Sequence, residues 1–107
     1  MTEVAVACCM YLDDEEMCVF TISLSDQETI ESLSEKAVAR YSQRTKRRVN
    51  VKPNSPYLFI DFGRYPQQGY IVSENMQTVG DLLEFMEQFG RKTLSVRFDL
   101  VVQENIN

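Results

Sequence analysis

The chain has 107 residues, 44% apolar and 10% aromatic, which excludes a disordered segment and leaves room for one domain with one core. Sixteen acids against eleven bases give a formal net charge of -5, and histidine is absent. Without imidazole there is no Ser–His or Cys–His nucleophile pair and no usual general base near neutral pH.

Residues 3–12, EVAVACCMYL, and 17–24, MCVFTISL, are two β-prone runs separated by DDEE, which predicts a hairpin. In the second run Cys18, Phe20, Ile22 and Leu24 share one face at period two. Ser25 and Glu28 form a capping-box pattern, so a helix is expected over 26–42, with Ile30, Leu33, Ala37, Val38 and Tyr41 as its apolar face. Arg40 and Arg44 fall near its C-terminal end, where cations are favoured. Pro53 and Pro56 bound the next loop. Residues 57–62, YLFIDF, predict a third strand, and 70–72, YIV, a short edge strand. Thr78 and Asp81 cap a second helix whose apolar face is Val79, Leu82, Leu83, Phe85, Met86 and Phe89, ended by Gly90. Residues 93–102, TLSVRFDLVV, alternate, with Leu94, Val96, Phe98, Leu100 and Val102 inward and Ser95, Arg97 and Asp99 outward. The domain is expected to span 1–103, followed by a frayed tail at 104–107. The order ββαββαβ is an α+β pattern, one main helix packed across a mixed sheet of four or five strands with a second, shorter helix.

The chemistry is sparse. No phosphate-cradling loop, dinucleotide fingerprint, nucleophile elbow or zinc-protease motif occurs, so no catalytic residue, no enzyme activity and no cofactor are expected. Cys8, Cys9 and Cys18 have no framework spacing and fall one short of a four-ligand zinc site, so they read as reduced thiols filling strand positions, with no metal. No apolar run approaches the ~20 residues of a membrane span, and the N-terminal stretch is a poor signal peptide. The expected setting is the cytoplasm.

The element order, TVGDLL leading into TLSVRFDLV, and LFIDFG resemble the ubiquitin-like β-grasp superfamily. The resemblance implies a sheet gripping one main helix and a function in binding proteins, as a module of a larger scaffold or regulatory protein. Conjugated members end in Gly-Gly, whereas this chain ends in VVQENIN, so a non-conjugating member is expected. Ubiquitin's outward apolar patch is replaced here by Ser95 and Arg97. The long second helix is similar to that of PB1 and Ras-association domains, and YLDDEE to the first hairpin of DIX domains. Those relatives imply two alternatives, a head-to-tail self-assembling domain and a small-GTPase effector domain.

The charges are segregated. Residues 1–35 hold nine acids and no base, and residues 36–52 hold seven bases and no acid. The bases Arg44, Lys46, Arg47, Arg48 and Lys52 form the first candidate contact, with Asp13, Asp14, Glu15 and Glu16 as their complement. If the two groups lie at opposite ends, a second copy placed head to tail is complementary. A solvated face with a helix-dipole contribution is the plainer reading, but a seventeen-residue window with seven bases and no acid exceeds what capping needs. Nucleic acid is not the expected partner, because a net charge of -5 repels phosphate at long range. A second candidate surface is Tyr57 and Phe59. Leu58, Ile60 and Phe62 share one face of the third strand, so those two share the other, either exposed as an aromatic interface or covered by the loop GRYPQQG.

Overall fold

The computed structural model describes residues 2–53, 56–60, 68–71, 76–88, 90 and 94–103; at positions 57, 59, 60 and 68–71 it describes the backbone. The elements are β1 (Glu3–Leu12), β2 (Glu15–Ser25), α1 (Ile30–Thr45), β3 (Val49–Val51), β4 (Tyr57–Ile60), β5 (Gln68–Ile71), α2 (Val79–Glu87) and β6 (Leu94–Val102). This is an α+β fold. The sheet runs β2-β1-β6-β4-β5, with β3 pairing β6 beyond the end of β4. β1 and β6 are parallel, and every other pair is antiparallel. Such a mixed sheet with two helices is compatible with a β-grasp arrangement. The short β3 is additional to the expected order.

The alternating strands place their apolar sets on one face, as period two requires. Val4, Val6, Cys8, Met10 and Leu12 of β1, Phe20, Ile22 and Leu24 of β2, and Leu94, Val96, Phe98 and Leu100 of β6 are all buried. Leu33, Ala37 and Tyr41 of α1 and Val79, Leu82 and Met86 of α2 complete the core. Each fully buried aliphatic side chain contributes about 1.5–3 kcal/mol of transfer free energy. Val102, expected inward, is 46% exposed at the end of β6, although Val49, its partner on β3, is buried.

α1 begins later than the Ser25–Glu28 pattern predicts. Thr29 is its N-cap, and the Thr29 hydroxyl accepts from the Ser32 N–H at 3.0 Å. The backbone of 26–28 is committed elsewhere. The Asp26 N–H donates to Thr2, its carbonyl accepts from Gly80, and the Glu28 carbonyl accepts from Val79. The two helix N-termini are thereby joined, with a bridge between Thr29 and Thr78. The Glu28 carboxylate instead reaches forward to Lys36 Nζ at 2.8 Å and accepts from the Ser32 hydroxyl, and the Lys36 ammonium holds it below the usual carboxylate range. In α2 the expected capping box is complete: Thr78 Oγ1 accepts from the Asp81 N–H and Asp81 Oδ2 from the Thr78 N–H. The N–H groups of Gln77 and Thr78 hold Asp81 low for the same reason. Gly90 sits just past the helix with a φ of 72°, a conformation that favours glycine. Asp61, Phe62, Val72, Phe89 and the tail 104–107, all named in the sequence reading, lie outside the described residues.

Candidate functional site

The basic stretch is the link from α1 to β3, and its backbone is pinned at both ends. Lys46 caps α1 in the left-handed conformation, φ 62°, and its N–H donates to the Ser42 carbonyl at 2.8 Å. The Thr45 hydroxyl donates to Tyr41 and accepts from the Arg47 N–H. The Arg48 carbonyl accepts from Gln103, and the Lys52 N–H donates to Asp99, which ties β3 along β6. Arg44 differs from the rest of the group. Its guanidinium lies 5.3 Å from the centre of the Phe20 ring, beside that of Arg40 at 5.6 Å. Arg40 also donates to the Thr21 carbonyl on the outer edge of β2. Arg44 therefore packs against β2 as well as carrying charge.

Lys46, Arg47, Arg48 and Lys52 are exposed, and none forms an ion pair among the described residues. With Ala39, Ser42 and Gln43, three of them border an open depression of about 550 Å³. Guanidinium and ammonium groups on a pinned backbone suit recognition of carboxylates, since Arg can meet a carboxylate with two parallel hydrogen bonds.

The acidic hairpin is partly used within the fold. Its turn is only two residues long. Asp13 and Asp14 both have positive φ, 52° and 62°, the signature of a twisted tight turn, and aspartate tolerates this better than most residues. Glu15 and Glu16 belong to β2, where one extra residue, Met17, bulges between the Met10–Cys18 and Tyr11–Glu16 pairs. On the sheet face away from the helices, the Tyr11 hydroxyl donates to Glu16 Oε2 at 3.1 Å. Arg97 lies 4.0 Å above the Tyr11 ring, bonds Asp99 at 2.8 Å and reaches Asp14 at 3.4 Å. Burial and the adjacent Glu16 raise the Tyr11 pKa. Two of the four hairpin acids are thus tied to the sheet. The outward alternation of Arg97 and Asp99, two residues apart on one strand, was the signal for this cluster.

The strand directions decide how the charged groups sit. β1 ends at Leu12 beside Leu100 of β6, and Arg48 bonds Gln103, just past that level. The hairpin turn and the basic link therefore share one end of the sheet, separated laterally by β6. They are not at opposite ends, which removes the geometry on which a head-to-tail contact between these two groups depended.

Tyr57 and Phe59 stand on β4, with the backbone of Tyr57 opposite Arg97 and that of Phe59 opposite Gly69. Their side chains, and the loop GRYPQQG up to its residue 67, lie outside the described residues. Cys8 and Cys9 point to opposite sheet faces; Cys8 is fully buried, and burial with the neighbouring Cys9 pushes its thiol up to about 12. Among the described residues no group of three or more Cys, Asp or Glu side chains is placed to hold a metal. None of the helices described is long and apolar enough to cross a membrane.

The chain matches no protein-family model, and no curated protein is similar enough to it to count as a match.

Proposed function

We infer that this chain is a non-catalytic protein-interaction domain of ubiquitin-like fold, a module of a larger scaffold or regulatory protein in the cytoplasm. It binds an acidic surface of a partner protein through the link between α1 and β3. The observation that carries this reading is the display of Lys46, Arg47 and Arg48 on a backbone held from both sides, with no intramolecular carboxylate against them among the described residues. Preorganised cations lose less freedom on binding, and they mainly set orientation and encounter rate. The parallel pairing of β1 with β6 and the packing of α1 across the sheet support the ubiquitin-like assignment.

The test compares the wild-type domain with a Lys46→Glu, Arg47→Glu, Arg48→Glu variant, both immobilised, in capture from cell lysate at low and high salt. Arg44 is left intact because it packs on Phe20. A discrete set of proteins held by the wild type and lost with the variant, with circular dichroism unchanged, supports the reading. Identical capture by both proteins removes it. A small-GTPase effector role is the second reading, favoured by Arg40 and Arg44 lying along the edge strand β2. It requires that capture of a GTPase depend on its bound nucleotide.

A further inference from the structure

The outward face of α1 has a pattern that neither the hairpin nor the basic link shows by itself. Leu33, Ala37 and Tyr41 face the core. Glu31, Glu35, Ala39 and Gln43, one turn apart, are all exposed on the other side. Toward the start of the helix, Glu31, Ser34, Glu35 and Val38 border a groove of about 260 Å³ against the residues of β3. Toward its end, Ser42, Gln43, Lys46, Arg47 and Arg48 border the larger depression. Ala39 lies between the two halves, with no side chain beyond Cβ. Counting along the chain, Glu31 stands as far before Ala39 as Arg47 stands after it, and Glu35 as far before as Gln43 after. The face is therefore acidic toward the start of α1, at Glu31 and Glu35, and basic past its end, at Lys46, Arg47 and Arg48; the counterpart of Glu35 is the neutral Gln43, and the one base in the first half, Lys36, is paired with Glu28.

α1 ends at Thr45 and the chain turns at Lys46, so a two-fold axis near Ala39, perpendicular to α1, brings the acidic start of the helix in one molecule beside the basic link at the helix end of a second. We propose that this face is a self-complementary docking surface on which two copies pair antiparallel along α1. Glu31 and Glu35 of each copy lie against Lys46, Arg47 and Arg48 of the other, and the two Ala39 residues meet at the axis. The proposal rests on the reading above, because the same basic link makes the contact. A second copy is the occupant because both complementary halves are present on this one surface. Ala39 allows the close approach, about 8–10 Å between axes, that helix packing needs. The contact is isologous, so it closes at two copies and cannot propagate, unlike a head-to-tail array. It is small and polar, which places it among weak, transient associations, and its charges are exposed, so salt weakens it.

The test is sedimentation equilibrium of the full chain from about 10 μM to about 1 mM, at about 50 mM and about 500 mM salt. The expected result is a mass that climbs from one protomer to two and stops there, with the midpoint moved at least about tenfold upward by the higher salt. Two variants, Glu31→Lys with Glu35→Lys, and Lys46→Glu with Arg47→Glu and Arg48→Glu, should each stay monomeric alone. Mixed together they should recover a one-to-one pair, since each then carries a single sign along the whole face. A wild type that is monomeric at the highest concentration overturns the proposal. So does a mass that grows past two, or a Glu31→Lys, Glu35→Lys variant that associates like the wild type. Lysate capture separates this proposal from the broader reading. The Glu31→Lys, Glu35→Lys variant keeps the basic link, so capture that persists with it and disappears with the basic-link variant leaves the interaction domain standing even where the paired form fails.

Discussion

Cys8 is the residue whose environment makes the strongest demand on pH. The thiol is buried between β2 and β6, and burial raises its pKa from an ordinary 9.0 to about 12. A raised acid favours its neutral form in the folded chain. The stabilisation is complete below pH 9.0 and is lost as pH climbs toward 12, because the unfolded thiol ionises first. Each pH unit in that window costs about 1.4 kcal/mol from this group. Urea denaturation between pH 8 and pH 10.5, with reductant present, should show the wild type losing stability faster than Cys8→Ala, even though the variant starts lower. Parallel curves would mean that the thiol is not isolated from solvent. Tyr41 has the opposite character. It is fully buried, its hydroxyl has no partner among the described residues, and its ring fills the core. Removing an unsatisfied hydroxyl while keeping the ring is neutral or stabilising by up to about 1 kcal/mol. Tyr41→Phe should therefore unfold at the same or a higher urea concentration. A loss greater than about 1 kcal/mol would reveal a hydrogen bond to that hydroxyl.

The junction of the two helices is where element-level physics overrides local propensity. Glycine early in a helix is replaced by alanine with a gain of up to about 1 kcal/mol when the site is open. At Gly80 the site is not open: an added Cβ lies 3.0 Å from the Asp26 carbonyl oxygen, the same oxygen that accepts the Gly80 N–H. Gly80→Ala should thus destabilise the domain by about 1–3 kcal/mol, and the thermal midpoint is the readout. A raised midpoint would show that the Asp26 segment yields freely. This junction also explains which elements the sequence made legible. Long alternation marks β1, β2 and β6, and Thr78 with Asp81 marks the start of α2, because in each case the local signal and the tertiary contact agree. Ser25 and Glu28 are a sound capping pattern, but their backbone is needed against α2, so Thr29 caps α1 instead. β3 is three residues inside a basic run, too short for any period to register. It forms because β6 extends beyond β4 and offers Leu100–Val102 as an unpaired edge.

At the scale of the molecule, the segregation of charge was legible in composition and its placement was not. The placement follows from counting directions. The hairpin turns at one end, α1 starts at the other end beside Thr2, and its last turn returns toward the hairpin, so the acidic turn and the basic link arrive at the same rim. The outward carboxylates of Glu31 and Glu35 carry no motif and become visible only when the grooves along α1 are seen. The same topology sets where the fold is most resistant to opening. β1 and β6 are the first and last strands, they pair in parallel, and each is flanked on both sides, whereas β2 and β5 stand at the edges. The Thr21 carbonyl points outward to Arg40, so the N–H groups of Val19, Thr21 and Ser23 also face the free edge of β2. Hydrogen exchange should therefore separate two classes. Amides of Val6, Cys8 and Met10 in β1 and of Val96 and Phe98 in β6 should exchange only on global unfolding, with the free energy found by denaturant. Those of Val19, Thr21 and Ser23 should exchange through local solvent access, faster by orders of magnitude. Slow exchange at these edge amides in dilute solution would mean that another segment or another molecule covers β2. Fast exchange at Val96 and Phe98 would mean that β6, the strand on which β1, β3 and β4 all pair, is not the centre of the cooperative unit.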